Sequence, residues 1–206
     1  MSITARPTKA AVVTDFRRSQ ILDAARESFA RYGLVGSTVD GIAKRAGMAK
    51  GTVYLYYRSK DEILRQLLHQ DLAQLREGTV PLIAGPGAIE DKLGRFLVGA
   101  LTFFDDKRDY FEHVHFEMSP EMRRRAEQKL EVVLKAQVES WRAVLVEAQQ
   151  AGLVRALDAE ASAIAIVALA NGLAKQRVRG CGWCTGPVET IAAQASTALW
   201  KGLAVR

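Results

Sequence analysis

Lys50-Gly51-Thr52-Val53-Tyr54 offers a cation, a hydroxyl and a phenol around a residue with no side chain. On one helix face that set can meet base edges and phosphates, and the glycine leaves room for close approach. A little further on, Ser59 is a helix N-cap, with Lys60 in the first turn and Glu62 closing a capping box. Free backbone N–H groups, the positive dipole end and an ammonium together suit a phosphate. Cys181 and Cys184 form a C-x-x-C pair, a spacing used elsewhere for redox chemistry or zinc. No second pair accompanies it, the histidines are only His69, His113 and His115, and no strand precedes it. Inert thiols in a loop are the favoured reading, with a thiol sensor as the alternative. Tyr110, Phe111, His113, His115 and Phe116 make an aromatic-histidine cluster. His113 and His115 fall on different faces of a helix, which makes them poor joint metal ligands. With Phe103, Phe104, Met118 and Trp141, the set Tyr110, Phe111 and His115 is expected to line an apolar cavity for a small apolar or aromatic molecule. No nucleophile–base pair or Gly-rich phosphate loop stands out, so neither an enzyme nor a cofactor or metal is expected.

The elements that would hold these residues read as helices throughout. Ile21, Ala25, Phe29 and Tyr32 mark an amphipathic helix from Arg17 to Tyr32, closed by Gly33. Arg17 and Arg18 stand at its start, where a nearby phosphate would suit them. Thr38 N-caps a second helix that turns Val39, Ile42, Ala43 and Ala46 to one side, and Gly47 ends it. A third helix from about Ala49 to Tyr57 turns Val53 inward and Lys50, Thr52 and Tyr54 outward. Helix, glycine turn and helix make the helix-turn-helix that lays its second helix in the DNA major groove. The expected organisation is a flexible basic arm over 1–15, a helix-turn-helix domain over 16–60, and a connecting helix over 59–77. A helical ligand-binding and dimerisation domain follows over 78–206, opening on a breaker-rich linker at 78–87. Its helices are expected near 88–105, 108–118, 120–151, 158–179 and 187–204. The last two are rich in alanine, which permits close helix–helix contact.

The net charge of +6 is unevenly shared. Residues 1–70 carry 12 Lys and Arg against 6 Asp and Glu, whereas residues 71–206 carry 17 of each. An excess confined to the motif-bearing third points to a polyanionic partner, double-stranded DNA. The most apolar run, 161–170, is interrupted by Ser162 and followed by Asn171, so no membrane span is expected. Two cysteines and no secretory signal make the cytoplasm the expected location.

From Arg17 to Leu68 the chain resembles the N-terminal domain of TetR-family transcriptional regulators. The matching residues are Ile21, Ala24, Ala25, Phe29, Gly33, Thr38-Val39, Ile42-Ala43 and Ala46-Gly47. They continue through Lys50-Gly51-Thr52-Val53-Tyr54, Tyr56-Tyr57 and Ser59-Lys60-Asp61-Glu62-Ile63-Leu64. Gly41, where the family usually has an acidic residue, and Ala49, where it has Ser or Thr, depart from the pattern. The resemblance implies an all-α homodimer paired through its last two helices, and a repressor released from a palindromic operator by a small-molecule effector. It also implies DNA contacts by Lys50, Gly51, Thr52, Tyr54, Tyr56, Lys60, Thr38 and Arg17. A ligand-independent architectural DNA-binding protein, or a redox-sensing regulator using Cys181 and Cys184, are the other readings that stay open.

Overall fold

A computed structural model of the chain describes residues 8–180, 182 and 184–204, and all its named elements are helices. In chain order they are α1 (Lys9–Gly36), α2 (Val39–Arg45), α3 (Lys50–Tyr56), α4 (Lys60–Ala84) and α5 (Ile89–Asp105). After these come α6 (Arg108–Glu117), α7 (Pro120–Gln150), α8 (Ala159–Val178) and α9 (Val188–Leu203). Among the described residues no helix is long and apolar enough to cross a membrane.

Two apolar cores organise these helices. The head core gathers Ile21, Phe29, Ile42, Val53, Ile63 and Leu67 from α1 to α4. It also takes Tyr110 and Val114 from α6, with Met118 just beyond it, so α6 closes the head although it lies far along the chain. The body core centres on Leu93, Phe96 and Leu97 of α5, Trp141 and Leu145 of α7, and Ile166 and Val167 of α8. Phe96 meets the Trp141 ring edge-on at 5.7 Å, a favoured aromatic geometry. Leu67 and Ile83, both fully buried, sit near opposite ends of α4, one in each core. That long helix is the beam between the two.

Two boundaries depart from the sequence reading. Helix α1 starts at Lys9 rather than near Arg17, N-capped by Thr8, whose Oγ1 accepts from Ala11 N at 3.3 Å. The earlier residues of the expected arm, 1–7, lie outside the described residues. Val12, Val13 and Phe16 stay exposed on this first stretch, so it has no buried stripe to announce it as a helix. Arg17 therefore lies inside a helix rather than at its positive end.

Helix α4 runs to Ala84, through Gly78 and Pro81, where the linker was expected. Buried Thr79 donates to Leu75 O at 2.6 Å and accepts from Gln137 Nε2 at 2.8 Å, tying this turn to α7. Ile83 is fully buried in the body core just beyond. Tertiary packing here outweighs two helix-breaking residues.

Candidate nucleic-acid interface and effector cavity

Thr38 caps α2 by accepting from Gly41 N at 3.1 Å. Asp40 and Lys44 add an ion pair one turn apart at 2.9 Å. The turn closes through Gly47, in the left-handed region at φ 66°, and Met48 N donates to Ala43 O at 2.9 Å. Ala49 gives α3 no side-chain cap, as its residue type dictates. Val53 is fully buried and fixes the helix's rotation. The face away from it exposes Lys50, Gly51, Tyr54 and Leu55, while Thr52 and Tyr56 are half-buried at its edges.

Leu55, 82% exposed, was missed by residue-type reasoning, which favoured polar side chains. An apolar residue on a reading face suits a thymine methyl. An added Cβ at Gly51 would meet nothing within 4 Å, so the fold itself makes no demand for glycine there.

Ser59 Oγ accepts from Glu62 N at 3.2 Å, the expected cap, but the Glu62 carboxylate reaches back one residue beyond it and accepts from Arg58 N at 2.6 Å rather than from Ser59 N. Lys60 is more occupied than its sequence position suggests. Its ammonium donates to Leu34 O and, at 2.8 Å, to Ser37 O, tying α4's first turn to the end of α1. One of its three donors is left for an external anion. Arg17 is exposed and, among the described residues, its guanidinium donates to Gln20 Oε1, at 3.5 Å.

The end of α1 is gripped from α6. Gly33 takes φ 71°, and a Cβ there would strike the Glu117 carboxylate. Glu117 Oε2 accepts from Val35 N at 2.7 Å, satisfying a donor freed by the kink. Nearby, Arg26 of α1 reaches the buried Asp71 of α4 at 2.6 Å and lies over the Tyr110 ring at 5.4 Å. Burial pushes the Asp71 carboxyl up against the pull of Arg26, and pushes the Tyr110 phenol well up.

A cavity of about 360 Å³ opens beside this junction, between α4, α5, α6, α7 and α8. Phe103, Phe104, Phe111, His115 and Met118 line it, as the sequence suggested. Tyr110 and Trp141 do not. Tyr110 stacks on Phe29 in the head core, and Trp141 packs on Phe96 in the body core. Spacing along one helix cannot say which of two cores a ring enters. Leu68, Asp71, Arg123, Glu127, Lys175 and Arg179 are among the other lining residues and were not anticipated, because they come from helices distant in sequence.

Cys184 is buried, its thiol 3.9 Å from Leu173 O, and Cys181 lies outside the described residues. The described His, Cys, Asp and Glu residues form no cluster able to hold a metal.

Residues 21–67 match the family model described as bacterial regulatory proteins, tetR family. The fatty acid metabolism regulator protein of Bacillus subtilis is 40% identical over 74 residues, 36% of this chain and 38% of that protein. The transcriptional repressor AcnR of Corynebacterium jeikeium is 33% identical over 61 residues, 30% of this chain and 32% of that one. The chain thus spans well under half the length of these relatives in the matched stretches. The whole fold is similar to that of the Bacillus subtilis regulator FadR solved with stearoyl-CoA, at TM-score 0.68 and 25% identity. That likeness covers 89% of this chain and 98% of the other. With the helix-turn-helix and its glycine turn inside the matched residues, the N-terminal domain is one of the tetR family, and the helical body shares the fold of TetR-family regulators.

Proposed function

We propose that the protein is a homodimeric transcriptional regulator that binds a palindromic operator and leaves it when a small, largely apolar ligand fills the α4–α8 cavity. The observation that carries the DNA reading is the exposed face of α3, where Lys50, Gly51, Tyr54 and Leu55 stand clear of the fold opposite buried Val53. The unfilled space over Gly51 supports close approach by an outside surface. Lys50, Tyr54 and Leu55 read base edges, with Thr52 at their margin. Tyr56, Arg17, Thr38 and the third donor of Lys60 serve phosphates.

Dimerisation is supported by two stripes of small exposed residues. One is Ala161, Ala165 and Ala168 on α8, beside Ile164 at 49% exposure; the other is Ala193, Thr197 and Ala198 on α9. A two-fold pair through them would carry two reading heads, as a palindrome requires. Half-sites one turn apart lie roughly 34–36 Å apart, so a small rotation of the heads breaks the match. A ligand that prefers the rotated state weakens DNA binding by its differential affinity. Repression is the sense favoured by AcnR, and a ligand with an apolar chain is favoured by the stearoyl-CoA bound to FadR.

Selection from random double-stranded DNA tests this directly, and an inverted repeat is the expected product. Enrichment without sequence preference would favour an architectural protein instead. Gly51→Ala is a sharper probe. It should raise thermal stability slightly, by about 0.5–1 kcal/mol, because alanine is the better helix former. At the same time it should weaken operator binding measurably. A variant both more stable and equally tight on DNA would remove the close-approach role.

A further inference from the structure

The cavity wall is chemically divided. Phe103, Phe104 and Phe111 form an aromatic side, whereas Arg123 of α7, with Lys175 and Arg179 at the end of α8, bring cations to the same space. Lys175 and Arg179 are exposed and take part in no ion pair among the described residues. Arg123 donates through Nη2 to His115 O at 3.1 Å and to Met118 O at 3.5 Å, and its Nε is buried with no protein partner.

Two carboxylates also line the cavity. Asp71 is engaged by Arg26, which leaves Glu127 as the one lining carboxylate without an ion pair among the described residues. His115 registers the resulting field: burial first, then Arg123, Arg179 and Lys175, hold its imidazole below the ordinary value, with only Glu127 opposing. Three cations facing one carboxylate repel one another, and an anion among them relieves that repulsion. A neutral or cationic head group does not.

We propose that the cavity selects an amphiphile with an anionic head, its apolar body along Phe103, Phe104 and Phe111 and its head held by Arg123, Lys175 and Arg179. This rests on the ligand-controlled reading above and adds the chemical class of the ligand. Guanidinium groups bind carboxylate or phosphate at two points, so either head chemistry fits. The head would bridge α7 and α8 beside His115 of α6, the helix that grips α1 through Glu117.

The experiment is titration calorimetry on the full chain with decanoate, decanoyl-coenzyme A, 1-decanol and decyltrimethylammonium, all below micellar concentrations. At least one anionic probe should bind about tenfold or more tightly than 1-decanol, a gap of about 1.4 kcal/mol. The cationic probe should bind weakest. Preference for decanoate alone assigns a carboxylate head, and preference for the thioester alone assigns its phosphates. In a K175Q/R179Q variant, with its fold checked by thermal unfolding, the anion-to-alcohol ratio should fall to within about threefold. The single variant Lys175→Gln should give an intermediate ratio and serves if the double one does not fold.

Equal binding of 1-decanol and both anions, an unchanged ratio in the variants, or no binding of any probe would overturn the proposal. Operator release measured with the same probes separates this from the broader reading. If 1-decanol binds as tightly as the anions and still frees the DNA, ligand control stands and the charge assignment falls.

Discussion

Two aspartate–arginine pairs sit at comparable places in the fold and behave in opposite ways. Asp71–Arg26 joins α4 to α1 across the head, and Asp105–Arg177 joins α5 to α8 in the body. Asp71 is the more buried, at 1% exposure against 21% for Asp105. Yet burial holds the Asp71 carboxyl above its usual range, while hydrogen bonds from Arg177 hold that of Asp105 below it.

Deeper burial and fewer hydrogen bonds together set Asp71 apart from Asp105. Arg26 reaches only one oxygen of Asp71, and Oδ2 has no protein partner. Arg177 takes both oxygens of Asp105, Arg108 adds a bond at 2.9 Å, and the remaining Arg177 donor reaches Cys184 O at 3.1 Å and Gly186 O at 3.0 Å. A buried pair repays its desolvation only when its remaining polar groups are satisfied. The body pair meets that condition and pins the α8–α9 loop. The head pair is close to break-even, and it stands in the cavity wall.

Breaking the body pair should therefore have the largest effect. Arg177→Met leaves Asp105 short of a partner and removes the donor from two loop carbonyls, and should cost about 3 kcal/mol in urea unfolding. A loss under about 1 kcal/mol would show the pair to be ornamental. Next comes Lys60→Ala, which unties α4 from two carbonyls at the end of α1. It should lower stability by about 1–2 kcal/mol as well as weakening DNA binding, through the loss of two charge-assisted bonds. Unchanged thermal stability would return Lys60 to a purely phosphate-facing role. Asp71→Asn should be milder than either, within about 1 kcal/mol of the parent at neutral pH, because the amide escapes the cost of burying a charge.

The pH dependence sharpens the contrast. The folded-state value of Asp105 is lowered, so its contribution is present above the ordinary carboxylate range and is lost as pH falls through the folded value. Arg177→Met should flatten that acid loss. For Asp71 the folded-state value is raised, so its carboxyl favours the fold below the ordinary range and costs stability as pH rises through the raised value. The stability of Asp71→Asn relative to the parent should therefore improve with rising pH. Parallel pH–stability curves for parent and variant would contradict the opposed environments.

Local signals in the sequence carried much of the architecture. The spacing of Ile21, Ala25 and Phe29, the Thr38 and Ser59 caps and the left-handed Gly47 act within a few residues of themselves, so they are legible in one dimension. The body helices also began and ended close to where Pro120, Gly152 and Pro187 indicated. What depends on neighbours distant in sequence was not legible. Pro81 stays inside α4 because Gln137 and the body core hold that turn. Tyr110 turned to the head and Trp141 to the body, away from the cavity, while Lys175 and Arg179 entered it from α8.

Residue order alone determined that this chain would be helical, basic at one end and headed by a helix-turn-helix. Only the folded structure decided which charges would meet. Periodicity reports which side of a helix is apolar, whereas the partner it faces depends on how all the helices pack.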